Sequence, residues 1–302
     1  MKLSKIVRKI QNKIRTSNYI SKSKHNVAHH YDLSDKLYEL FLDPDRQYSC
    51  AYFNSPNDTL EQAQINKKEL ISKKLLLEEG QSVLDIGCGW GGMAAHIYKK
   101  SNASVVGVTL SEEQYAYANQ RKINEKLDKV EYRLQDYRNV NETYDRIVSV
   151  GMFEHVGTSH YQEFFNKVND LLNDTGVALI HTIGRLTEPT NNDPWIEKYI
   201  FPGGYIPALS ETMFRVEKSG LALTDVQVLR FHYAETLKRW RYNFYDNIDK
   251  VKELYDEKFC RMWDFYLSSS QASFEEAGLV VFQLQLSKNK KTVPDKRDYM
   301  IE

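Results

Sequence analysis

Ser82-Val83-Leu84-Asp85-Ile86-Gly87-Cys88-Gly89-Trp90-Gly91-Gly92 is the stretch that decides the fold of this 302-residue chain. A short apolar run ends in a turn that holds four glycines in six residues, and a helical pattern follows over 92–100. Glycines let the backbone turn sharply and let a ligand approach the main chain, while the next helix offers its N-terminus. So many glycines raise the entropy cost of ordering the loop too far to be incidental. Gly87, Gly89 and Gly92 fit the G-x-G-x-x-G spacing of dinucleotide folds, a match that alone discriminates poorly.

Outward from this turn the pattern is regular. Apolar, β-branched runs at 82–86, 104–109, 130–134, 144–150 and 176–183 read as strands. Helical stretches at 92–100, 111–126 and 160–172 separate most of them. Such alternation implies parallel βαβ units with right-handed crossovers, an α/β Rossmann-like sheet with helices on both faces. A stretch at about 185–220, rich in Pro, Gly and aromatics, breaks the pattern. A strand at 222–229, a helical region at 234–276 and a last strand at 279–286 follow, and the polar tail from Lys288 reads as frayed. The expected organisation is an N-terminal region over 1–80, a basic amphipathic helix with a helical cap, and a main domain over 81–302.

Forty-one basic and 41 acidic residues cancel, so no global field points to nucleic acid. No run approaches the ~18 apolar residues of a membrane span, and the first residues lack a secretory pattern. Cys50, Cys88 and Cys260 show no metal-ligand spacing and suit a reducing cytoplasm. His29, His30 and His155 fit no standard metal site either. The 12% aromatic content suits either a bulky core or an aromatic-lined pocket. Before Asp32 there are eight lysines and arginines and no acid, and Leu3, Ile6, Val7, Ile10 and Ile14 form an apolar stripe. That segment suits an anionic membrane surface or a first helix packed on its own domain.

The order Asp85-Ile86-Gly87-Cys88-Gly89-Trp90-Gly91 resembles the first motif of class I methyltransferases that use S-adenosylmethionine (SAM). The resemblance implies that Gly87 and Gly89 hold the methionine part and that Asp85 orients its ammonium group. The second strand runs into Gly107-Val108-Thr109-Leu110-Ser111 without the usual acid, so Thr109, Leu110 and Gln114 are left to meet the ribose. After the third strand, Asp136 can accept from the adenine amino group while Tyr137 packs on the ring.

More specific is the set His30-Tyr31-Asp32, Tyr48-Ser49-Cys50-Ala51-Tyr52-Phe53, Gly107–Ser111, Gly151-Met152-Phe153-Glu154-His155-Val156-Gly157, His181-Thr182-Ile183-Gly184 and Tyr199-Ile200-Phe201-Pro202-Gly203-Gly204. Together these segments resemble cyclopropane-fatty-acyl-phospholipid synthases and the related mycolic acid cyclopropane synthases, from about residue 25 to 287. The resemblance implies an acyl-chain-binding insertion at about 185–276 and transfer of a methylene unit from SAM to a cis double bond. The implied substrate is an unsaturated phospholipid at an anionic membrane surface, met by a cytoplasmic protein peripheral to the inner face, with a homodimer admitted. An alkene is a poor nucleophile and must be aligned with the methyl carbon. The cation that forms must be kept from water, and a base must remove a proton before the ring closes.

The same resemblance makes that base a bound bicarbonate held by Cys50, Glu154, His181, the backbone of Ile183, and Tyr233, with Tyr48 and Ser49 closing over the cofactor. This route needs no cysteine nucleophile, and the plainer alternative for Cys50 is a buried thiol. Ser270 stands where the family often has a late cysteine. Two alternatives stay open: a methyltransferase that methylates a lipid or small amine without ring closure, and a SAM-binding or membrane-surface protein without turnover.

Overall fold

The computed structural model describes residues 34–300. The basic N-terminal stripe, His29 and the His30-Tyr31-Asp32 motif lie outside the described residues. β1 (Ser82–Ile86) runs between parallel neighbours β2 (Ser104–Thr109) and β4 (Tyr144–Val150). β3 (Val130–Leu134) adds to β2, and β5 (Leu172–Arg185) adds to β4, all parallel. Buried on both faces, β1 needs the near-continuous apolar run that the sequence carries. The five strands of the alternating region thus form the expected parallel α/β sheet.

β6 (Ala222–Leu229) and β7 (Leu279–Ser287) complete a seven-stranded sheet in the order β3-β2-β1-β4-β5-β7-β6. β7 lies antiparallel to both β5 and β6. This direction was not legible in the alternation, because the helical stretch before β7 reads like any other crossover to a parallel strand.

Helices α1 (Asp35–Phe41), α2 (Leu60–Lys74), α3 (Gly92–Ser101), α4 (Glu112–Asn124) and α5 (Tyr161–Leu171) precede the insertion. Within 185–276 lie α6 (Pro194–Tyr199), α7 (Leu209–Glu217), α8 (His232–Asp246), α9 (Ile248–Leu254) and α10 (Glu257–Glu276). The insertion therefore encloses β6, a strand of the main sheet. The helical region expected over 234–276 is three helices. Asn247 ends α8, and Asp256 starts α10 by accepting from the Phe259 amide at 2.7 Å.

One apolar cluster packs α5 on the sheet through Phe153, Phe164 and Phe165. A second, on the other face, packs Ile71, Met93, Ile97 and Ala118. A third joins α1, α8 and α10, where Phe41 meets Trp240 and Trp263 edge-on at 6.0 and 5.7 Å. This last cluster caps the carboxyl ends of the strands, where open α/β sheets place their ligands.

The tail is not frayed. Arg297 donates from Nε to the buried Asp225 at 2.6 Å, and the Tyr299 hydroxyl bonds Gln285 at 3.0 Å. Asp225 and Gln285 are buried polar groups on β6 and β7, and such groups require partners, which the tail helps to supply. Arg297→Ala is expected to leave Asp225 without its ion-pair partner and to lower stability by about 1–3 kcal/mol. Urea unfolding measures this, and an unchanged midpoint would show that the tail contributes nothing.

Candidate active site

β1 ends by turning at Gly87, whose φ of +81° is left-handed and whose added Cβ would sit 2.8 Å from the Met152 side chain. Gly92 opens α3 so close to the chain 45–47 that a Cβ would fall 2.3 Å from Gln47 Nε2. The turn thereby leaves a cradle of about 150 Å³ above β1 and β2. Tyr48, Ser49, Asp85, Gly87, Gly89, Thr109, Leu110, Gln114, Asp136 and Tyr137 all line it.

Asp85 is buried. Its Oδ2 has no hydrogen-bond partner among the described residues, and burial pushes its carboxyl up to about 7. An ammonium group arriving there would satisfy the orphaned oxygen and favour the ionised form. Thr109 Oγ1 donates to Gln114 Oε1 at 3.1 Å, which leaves the Gln114 amide nitrogen facing the glycine turn. Asp136 accepts from the Arg138 amide at 2.9 Å and from Nε and Nη2 at 2.8 and 2.7 Å. An adenine amino group would share a carboxylate already neutralised by Arg138, a cradle residue that the sequence did not single out.

A larger cavity of about 480 Å³ adjoins the cradle, since Tyr48, Ser49, Gly151 and His155 line both. Cys50, Glu154, His181, Ile183 and Tyr233 come together on its wall, with Ser270. Glu154 sits in a short turn after β4, and its Oε1 accepts from the Ile183 amide at 2.6 Å. Oε2 is buried without a partner among the described residues, and burial pushes the carboxyl up to about 7. The Ile183 amide is thus engaged by Glu154 rather than directed at an anion.

His181 lies on β5, fully buried, and burial holds its imidazole neutral, well below the usual histidine range. Gln283 Nε2 lies 3.1 Å from Nδ1. With that amide as donor, the proton sits on Nε2, which has no partner among the described residues. Among the buried polar atoms of these wall residues, His181 Nε2 is a donor and Glu154 Oε2 an acceptor without a partner among the described residues. Tyr233 packs against Phe274 at 4.7 Å and edge-on to Trp240 at 5.7 Å.

Cys50 donates its thiol to the Ala51 carbonyl at 3.3 Å, and burial pushes that thiol far above its ordinary range. A neutral buried thiol is not a nucleophile.

The loop carrying Tyr48, Ser49 and Cys50 is held by two α2 side chains absent from the sequence reading. Gln64 Nε2 donates to the carbonyls of Gln47 and Ser49 at 3.1 and 3.0 Å. Lys67 Nζ donates to Gln47 Oε1 at 2.6 Å and Ser49 Oγ at 2.9 Å, fully buried, with its pKa lowered to about 8 by desolvation. A signal existed: Lys67 falls on the helical face of Leu60, Ala63, Leu70 and Ile71, where an unpaired amine would be costly.

The family described as mycolic acid cyclopropane synthetase matches residues 19–284. The chain is similar to the cyclopropane-fatty-acyl-phospholipid synthase of Escherichia coli (strain K12), 42% identical over 259 residues. That match covers 86% of this chain and 66% of the relative, just under two thirds of its length. Cyclopropane mycolic acid synthase 3 of Mycobacterium tuberculosis (strain H37Rv) is 37% identical over 279 residues, covering 87% of this chain and 96% of the relative. A crystal structure of a mycolic acid cyclopropane synthase complexed with SAH and CTAB superposes with a TM-score of 0.82 at 35% identity, covering 87% of this chain and 97% of that one.

Iodoacetamide at pH 8 is expected to leave Cys50 unmodified in the native protein and to label it after denaturation. Peptide mass spectrometry reads this, and rapid native labelling would contradict the buried, neutral thiol.

Proposed function

The chain belongs to the mycolic acid cyclopropane synthetase family of SAM-dependent enzymes, and from that premise we propose that it converts the cis double bond of a phospholipid acyl chain into a cyclopropane ring. The observation that carries this reading is a pair of atoms without partners among the described residues, Glu154 Oε2 and His181 Nε2, on residues that line a cavity of about 480 Å³ meeting the cofactor cradle. When bound, SAM supplies an electrophilic sulfonium methyl, and bicarbonate supplies a base for one proton of that methyl.

The residues fit both groups. The glycine turn and Asp85 Oδ2 receive the methionine portion, and Tyr48 and Ser49 lie where the two cavities meet. His181 Nε2 would donate to an oxygen of such an anion, and Glu154 Oε2 would accept from its hydroxyl. Ile183 holds Glu154 in place through its amide. Tyr233, Phe201, Tyr266 and Phe274 line the cavity, and aromatic rings there would stabilise a developing cation and keep water away.

The phospholipid is read as part of an anionic membrane surface at the cytoplasmic face. The basic segment before Asp32 supports this by charge. Among the described residues no helix is long and apolar enough to cross a membrane.

Mass spectrometry of lipids from cells expressing the chain tests the reaction. Cyclopropanation adds a CH₂ unit and removes the alkene, whereas a methylated amine with the alkene intact would overturn the reading. Glu154→Gln is expected to lower turnover about 100-fold or more while leaving SAM binding in place. Because Glu154 must be ionised to accept, wild-type turnover rises as pH passes through about 7, and the variant lacks this limb.

Stability runs the other way. A carboxyl raised from 4.5 to about 7 binds more protons when folded, so its contribution is full below 4.5 and is lost as pH climbs through 7. Glu154→Gln is therefore expected to gain up to about 3 kcal/mol relative to wild type at pH 8 and little near pH 4.5. Denaturant unfolding at the two pH values checks the sign.

A further inference from the structure

Arg185 is the one cation among the side chains lining the larger cavity, and the catalytic pair does not use it. It is 8% exposed, more than nine-tenths buried. Its Nε donates to the Ile206 carbonyl at 3.2 Å, and its charge acts on the Tyr205 hydroxyl. No carboxylate of the described residues lies within ion-pair distance of it. The acids nearby are engaged elsewhere. Asp193 caps α6 through the Trp195 and Ile196 amides, Glu211 accepts from Tyr205 and Ala208, and Glu154 accepts from Ile183. A buried guanidinium without a counter-ion is costly unless an anion completes it.

Its position relative to the catalytic pair narrows what that anion is. His181, Ile183 and Arg185 alternate along β5, so they share one face, and all three line the cavity. His181 and Arg185 stand four residue steps apart on the strand, ~13 Å between Cα atoms. Apolar and aromatic wall lies between and around them, including Leu279, Val281 and Phe274. An amphiphile whose alkene lies at His181 therefore meets a cation further along the same wall. The guanidinium fork suits a phosphate oxygen pair better than a point charge would.

We propose that Arg185 binds the phosphate of the phospholipid whose acyl chain occupies the cavity. This rests on the acyl-lipid reading above and adds a headgroup contact to it.

Equilibrium binding of monomeric dodecyl phosphate, dodecanol and inorganic phosphate to the full chain, by calorimetry, tests the contact without turnover. Dodecyl phosphate is expected to bind wild type about tenfold or more tightly than it binds Arg185→Met, with Arg185→Lys in between. Dodecanol is expected to bind wild type and Arg185→Met alike. Equal weakening of both amphiphiles would make Arg185 a packing residue and overturn the proposal. Inorganic phosphate binding as tightly as dodecyl phosphate would overturn the lipid as its source.

In turnover, wild type is expected to act on dispersed unsaturated phosphatidic acid at lower KM than on the matching diacylglycerol, and Arg185→Met to lose that difference with kcat little changed. A retained preference in the variant would also overturn the proposal. If wild type cyclopropanates neither lipid, the functional reading fails while the binding experiment still decides the role of Arg185.

Discussion

The hydrogen bond from the Ile183 amide to Glu154 joins the end of one strand to the turn after its neighbour, at 2.6 Å. Much of the site follows from it. Glu154 comes after β4, and Ile183 lies on β5, two residues beyond His181. The bond fixes one carboxylate oxygen and leaves the other bare, on the wall that also carries His181. Burial opposes the charge of Glu154 and the Ile183 amide favours it, so the carboxyl stays near its ionisation point at neutral pH, a useful state for a group that orients a proton.

Asp85 repeats the arrangement in the cradle, where the Ala94 amide favours its charge and burial opposes it. Two half-satisfied carboxyls at adjoining cavities disfavour folding unless other contacts offset them. The aromatic cluster of α1, α8 and α10 does so, with Trp240 and Trp263 fully buried over the strand ends. Buried lysines play the same part electrically. Lys67 is fully buried behind the cofactor loop and acts on Asp85, Cys50 and His181. It favours the carboxylate of Asp85 and disfavours a charged imidazole, so one cation supports the protonation states of both cavities.

The sheet's parallel half was legible because β1 to β5 carry apolar, largely β-branched residues and most of them are separated by helices, and because the Gly87–Gly92 turn has few uses. Residues that act through side chains on remote elements were harder to read. Gln283 lies in the run Leu-Val-Val-Phe-Gln-Leu-Gln-Leu, and only the pairing of β7 with β5 shows that its amide faces His181. Lys67 stands in a polar helix, where a lysine ordinarily points to water. The tail looked polar and therefore loose, yet Asp225 and Gln285 hold it because buried polar groups select their partners across long sequence separations. Composition reports how a segment meets solvent on average and is silent on which buried group awaits it.

The antiparallel seating of β7 decides which of its residues stand beside those of β5 along the cavity wall. Across the β5–β7 ladder, His181 faces Gln283, Ile183 faces Val281 and Arg185 faces Leu279. Directly opposed residues share a face of the sheet. One wall thus runs from a polar chemical end at His181 and Gln283, through apolar Ile183, Val281 and Leu279, to the cation at Arg185. A slip of one residue in this register would turn Gln283 and Val281 to the other face and bring Phe282 towards the cavity. Gly184 prevents that slip: a Cβ there would sit 2.1 Å from the Phe282 ring, so the ring lies over the glycine on the far side. The spacing between the chemical end and the charged end is therefore set by strand geometry, with a glycine and an aromatic ring locking the register.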